Sequence, residues 1–102
     1  MDTNKERHMI TVIFEYDVAV ENQDAYVQTT QEKIKPLWES IGCTSYDIWQ
    51  VKDSETGFVK TMLFEDVAAM KSAMADKKAD AVKELFYKLA ENISRKICVK
   101  KT

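Results

Sequence analysis

Scarcity is the first message of this chain. It has two glycines and one proline in 102 residues, which leaves little room for long irregular loops. One histidine, His8, excludes any site built on a histidine pair, and no Cys-x-x-Cys spacing or glycine-rich phosphate loop occurs, so no metal is expected. Two cysteines, Cys43 and Cys98, make no disulfide framework. No apolar run approaches the ~20 residues that span a bilayer, and no signal-peptide pattern is present, so the expectation is a cytoplasmic protein without membrane contact. Charge of one sign is lacking too. A net charge of -2 offers no basic field for nucleic acid, and Lys77-Lys78 and Lys96 to Lys101 read as solvated surface.

What is present is a composition suited to one folded unit: 45% hydrophobic and 31% charged residues. Residues 1–8 are polar and read as a flexible tail, leaving 9–102 as a single domain. Met9 to Tyr16 is β-branched and aromatic, hence a strand. Asn22 is placed to cap a helix whose apolar positions are Tyr26, Val27, Ile34, Leu37, Trp38 and Ile41, with Gly42 as the stop. Pro36 inside that run predicts a kink near Glu32–Lys35. Strands follow over Cys43–Asp53 and Phe58–Glu65, joined by a turn in which Gly57 is expected to supply a positive φ. Asp66 caps the next helical region, with Val67, Met70 and Met74, then Ala81, Val82, Leu85, Phe86 and Leu89. Asn92 is expected to end it, and Ile93 to Lys100 is a fourth strand.

The order β-α-β-β-α-β predicts an α+β, ferredoxin-like split. Right-handed crossovers put both helices on one face of a four-stranded antiparallel sheet, in the order 4-1-3-2. Strands two and four are then the outer ones, which keeps Cys43 and Cys98 too far apart to bridge. The central strands are apolar on both faces. Ile10, Val12 and Phe14 oppose Met9 and Ile13; Phe58, Met62 and Phe64 oppose Val59 and Leu63. Each such side chain gains roughly 1.5–3 kcal/mol from burial, so the second face needs a cover. A second copy of the chain is the simplest, and a homodimer is the expectation; a different protein in the same place is the alternative.

Gly42-Cys-Thr-Ser-Tyr46 after a long amphipathic helix, and Phe58-Val-Lys-Thr-Met-Leu-Phe-Glu-Asp66 followed by Ala69-Met70, resemble the turn into strand two and the third strand of the antibiotic-biosynthesis-monooxygenase-like (ABM) proteins. The resemblance covers roughly residues 9–102. It implies a dimeric α/β barrel with a pocket between helices and sheet, and activities ranging from cofactor-free oxygenation of polycyclic phenols to haem degradation. Two departures matter. The family's common tryptophan at the end of strand three is Phe64 here. The axial histidine that haem degraders need is missing from Val67–Asn92, which speaks against haem, and no cofactor is expected.

The remaining hint of a ligand is aromatic density, at Trp38, Tyr46, Trp49, Phe64, Phe86 and Tyr87. Flat rings with a polar edge suit a small aromatic molecule, although a core of this size needs large residues in any case. A separation of three puts Tyr46 and Trp49 on opposite faces of a strand. One of the two then faces the pocket and the other the dimer interface. The resemblance of the Gly42–Tyr46 stretch to the ABM turn implies that it is Tyr46 that faces the pocket. The expected pocket residues are therefore Trp38, Tyr46, Phe64 and Phe86, and the expected dimer contacts are Trp49 and Leu63. Met62, Met70 and Met74 fit either an adaptable wall or plain core. Three functions stay open: a cofactor-free monooxygenase acting on a small aromatic substrate, a non-catalytic small-ligand-binding module, and a structural dimer with a filled core.

Overall fold

The computed structural model describes residues 8–102, so most of the expected 1–8 tail lies outside the described residues. Four strands form one antiparallel sheet: β1 (Ile10–Val18), β2 (Cys43–Gln50), β3 (Gly57–Phe64) and β4 (Ala90–Val99). Their spatial order is β2-β3-β1-β4, the expected one, with β2 and β4 at the edges. The helices are α1 (Gln23–Thr29), α2 (Lys35–Ser40), α3 (Val67–Ala75) and α4 (Asp80–Leu89). No helix among the described residues is long and apolar enough to cross a membrane.

Strand alternation sets the core. Ile10, Val12, Phe14, Tyr16 and Val18 of β1 are buried, as are Phe58, Met62 and Phe64 of β3, while the intervening residues are half-buried or exposed. The buried set faces the helices. The other face carries Ile13, Val59, Leu63 and Trp49, and no helix among the described residues lies over it.

A five-residue π-helical turn, Thr30–Ile34, joins α1 to α2 where a kink was expected. Pro36 has no N–H for the Glu32 carbonyl, and its ring would clash there. The widened turn, with the Lys35 amide bonded to the Thr30 carbonyl, accommodates it. It also aligns the buried stripe Tyr26, Thr30, Ile34 and Trp38, spaced by four. In a regular helix, steps of four would drift by about 40° each and spiral off the sheet.

Three local expectations need correction. Asn22 caps nothing: it lies in a 3-10 turn, Val20–Asn22, and makes no side-chain cap bond. The Gln23 side-chain amide secures this entry instead, donating to the carbonyls of Val18 and Glu55. Gly57 does not supply a positive φ; Asp53 does, at 67°. Glycine is needed at 57 for space, because a Cβ there would sit 2.8 Å from Ser54 Oγ. Finally, the last helix stops at Leu89, and Asn92, at φ 54°, lies inside β4 beside a register shift against β1. Its amide donates to Asp17 Oδ2 at 3.0 Å, which stabilises a bulge rather than a helix end.

Asp66 behaves as expected, accepting from the Ala69 amide at 2.8 Å. Asp66→Ala should cost about 1 kcal/mol and lower Tm by about 4–8 °C, with Asp66→Asn close to wild type; calorimetry of the three proteins checks this.

Candidate functional site

Lys60 lies mid-way along β3, opposite Phe14 of β1 and Ile48 of β2. It shares the parity of Phe58 and Met62, so the backbone turns its side chain toward the helices, and it is only 3% exposed. The ammonium nitrogen lies 3.4 Å from the centroid of the Phe86 ring, 4.1 Å from that of Phe14 and 5.5 Å from that of Tyr46. Ring faces attract a cation by roughly 2 kcal/mol when water is excluded. No carboxylate pairs with Lys60 among the described residues. Loss of hydration is the larger effect and holds the amine down at about 7, against an ordinary 10.5, with nearby Cys43 acting in the opposite sense. Near neutral pH the group is therefore divided between ammonium and free amine.

Lys60 borders a cavity of about 250 Å³ between the sheet and the helices, walled by Trp38, Met62, Met74, Val82 and Phe86. Tyr87 and Arg95 lie at its exposed side. Each wall has a local cause. Trp38 ends the buried stripe that the π-helical turn aligns, Phe86 lies on the buried side of α4, and Phe14 and Met62 occupy inward strand positions.

Of the expected pocket residues, Trp38 and Phe86 meet at this cavity. Tyr46 is fully buried, its ring centroid 5.5 Å from the Lys60 amine, and it borders a different groove. Phe64 is packed in the core and borders none of the described cavities. Trp49 and Leu63 lie on the open face of the sheet. Trp49 is 58% exposed, and its indole N–H is directed at Thr61 Oγ1, 3.4 Å away. Of the three methionines, Met62 and Met74 reach the cavity, while Met70 lies outside it.

The groove bordered by Tyr46 is larger, about 490 Å³, and runs between α1 and the edge strand β2. Several of its polar groups already serve one another, although the buried Thr30 hydroxyl that borders it has no partner among the described residues. Lys35 donates to the Tyr46 carbonyl at 2.6 Å and pairs with Glu39 and Asp47, and Gln23 is committed to backbone carbonyls. Beneath it lie three buried phenols. Tyr16 and Tyr26 share a hydrogen bond of 2.5 Å, while the Tyr46 hydroxyl has no partner among the described residues. Burial pushes all three upward, Tyr26 to about 12, so none ionises near neutral pH. Lys60 is the buried group that can exchange a proton there.

Against this geometry, the family model for antibiotic biosynthesis monooxygenase matches residues 9–85. The chain belongs to the antibiotic biosynthesis monooxygenase family. Among curated proteins none matches it significantly. Solved structures do. SnoaB from Streptomyces nogalater, a cofactor-independent oxygenase, superposes with a TM-score of 0.75 at 11% identity, covering 93% of this chain and 95% of that one. A candidate antibiotic biosynthesis monooxygenase from Caulobacter crescentus CB15 gives 0.79 at 14% identity, covering 95% and 93%. A protein of unknown function from Bacteroides thetaiotaomicron VPI-5482, described as a possible oxidoreductase, gives 0.76 at 14%, covering 92% and 99%. At such identities the likeness is one of fold.

A depressed lysine has a signature in stability. Below pH 7 the amine carries its proton in both folded and unfolded chains, and its burial cost is complete. Between about 7 and 10.5 the unfolded chain binds a proton that the folded chain does not, so stability rises with pH. The slope reaches ~1.4 kcal/mol per pH unit. Above about 10 the buried tyrosines act the other way, because the folded chain retains phenol protons that the unfolded chain loses. Lys60→Met should therefore raise stability at pH 7, on the order of 2–4 kcal/mol, and flatten the rise between pH 7 and 10. Urea unfolding across that range measures both.

Proposed function

We propose that the protein is a cofactor-independent monooxygenase of small hydroxylated aromatic compounds. The supporting observation is the free, buried amine of Lys60 in an aromatic-walled cavity. Phenols ionise near pH 10, and phenolate is the electron-rich form that reacts with oxygen. The neutral amine takes the phenol proton, and the resulting ammonium stays beside the phenolate, where a low local dielectric strengthens the pairing. Trp38 and Phe86 hold the ring and exclude water. For a phenol with a free para position the balance is phenol plus O₂ giving para-quinone plus water. One oxygen atom enters the ring, the other leaves as water, and all four electrons come from the substrate. Pockets for drug-sized ligands run from ~300 Å³ upward, so a cavity of about 250 Å³ suits one or two fused rings.

Oxygen uptake with 1-naphthol, coupled to 1,4-naphthoquinone release, tests this reading. Activity per enzyme should rise with pH through about 7 and then level off, since the neutral amine is the working form. Lys83, Tyr87 and Arg95 at the same cavity, with Cys43 and Tyr46 near the amine, are the titratable and charged groups around it among the described residues. Lys60→Met should lose about 10²–10⁴-fold in rate while remaining folded. Saturable binding without oxygen uptake would instead identify a non-catalytic ligand-binding module.

We also propose that two copies pack through their open sheet faces. The half-buried Ile13, Val59 and Leu63 and the exposed Trp49 offer an apolar centre, while Glu15, Asp47 and Lys96 bring both charge signs, as a two-fold contact between identical surfaces requires. Sedimentation velocity should give a dimer, weakened at least about thirty-fold by Trp49→Lys. A wild-type monomer throughout the micromolar range would contradict the pairing.

A further inference from the structure

Among the described residues, the charged ones bordering the Lys60 cavity are Lys60, Lys83 and Arg95, and no carboxylate borders it. In a chain of net charge -2, three cations and no anion around one cavity do not follow from composition. Their roles differ. Lys83 is already committed, donating to the Met74 carbonyl at 2.6 Å. Lys60 is buried beneath the rings. Arg95 is exposed at the edge strand β4 and has no ion pair among the described residues.

Register relates the two free cations. Phe14 is paired with Lys60 on one side and with Arg95 on the other, so the three residues form one row across β3, β1 and β4. Two strand spacings put the backbones of Lys60 and Arg95 about 10 Å apart. The Phe14 ring lies between them, with the amine 4.1 Å from its centroid. A flat ligand bordered by Phe14 and Phe86 thus meets a proton acceptor at its buried end and a guanidinium at its exposed end. Guanidinium matches a carboxylate in two parallel hydrogen bonds, which an amine cannot do.

We infer that the ligand is a hydroxylated aromatic carboxylate, held with its phenol at Lys60 and its carboxylate at Arg95. This rests on the cavity assigned above but needs no turnover, so the two can fail separately. Arg95 is a specificity-determining residue in this arrangement, and the reacting end of the ring stays with Lys60.

Calorimetric titration at pH 8 with 6-hydroxy-2-naphthoate and with 2-naphthol separates the possibilities. The carboxylate should bind at least ten-fold more tightly. Arg95→Gln should abolish that preference while leaving 2-naphthol binding unchanged, and Arg95→Lys should retain part of it. Equal affinities in the wild type, no binding of either probe, or a preference that survives Arg95→Gln would overturn the inference. Oxygen uptake with 1-naphthol and no carboxylate preference would keep the oxygenase and remove this substrate class. A carboxylate preference without oxygen uptake would do the reverse.

Discussion

Five residues of β1 and four of β3 point to one side of the sheet, and every one of them is buried. That alternation is the constraint on which the helices, the cavity and the open face all depend. It obliges the helices to lie over the Phe14–Phe64 side. It also leaves Ile13, Val59, Leu63 and Trp49 on a face that no helix among the described residues covers. Since the strand period is two, no residue of β3 can avoid the core by a small rotation. Lys60 is carried inside by its parity with Phe58 and Met62, against its own preference for water.

Keeping a lysine there is costly, and the surroundings show how the cost is moderated without being removed. Phe86 and Phe14 present their faces to the amine, and no carboxylate fixes it as a permanent cation. A salt bridge would have held the charge and closed the site. Aromatic contact leaves the proton exchangeable near neutral pH, which is the condition for acid–base work on a phenol. The buried tyrosines have the opposite property: their protons are held too tightly to move near neutrality.

Much of this frame was legible in the sequence, because strand alternation and helix caps act over a few residues. The strand order, the interruption before Pro36, the Asp66 cap and the opposed faces of Tyr46 and Trp49 all follow from local rules. Long-range packing was not legible. Asn92 looks like a helix end until its amide is seen bonded to Asp17 across the sheet, and Gly57 serves a close approach of Ser54 rather than a turn angle. Trp38 and Phe86 could be expected at a pocket, whereas nothing in the spacing separates Phe64, a core residue, from them. Lys60 was missed, although its signal was present: a charge at an inward position between Phe58 and Met62. A lone lysine usually reads as surface, and here the parity of its neighbours was the better guide.

The central claim is that Lys60 is a buried amine poised near neutrality. It is tested most directly by following the Lys60 side chain through a pH titration by ¹³C–¹H NMR, with Lys60→Met to assign its signal. A midpoint near 7 is expected. A Lys60 midpoint at the ordinary 10.5 would show a solvated ammonium and contradict the account.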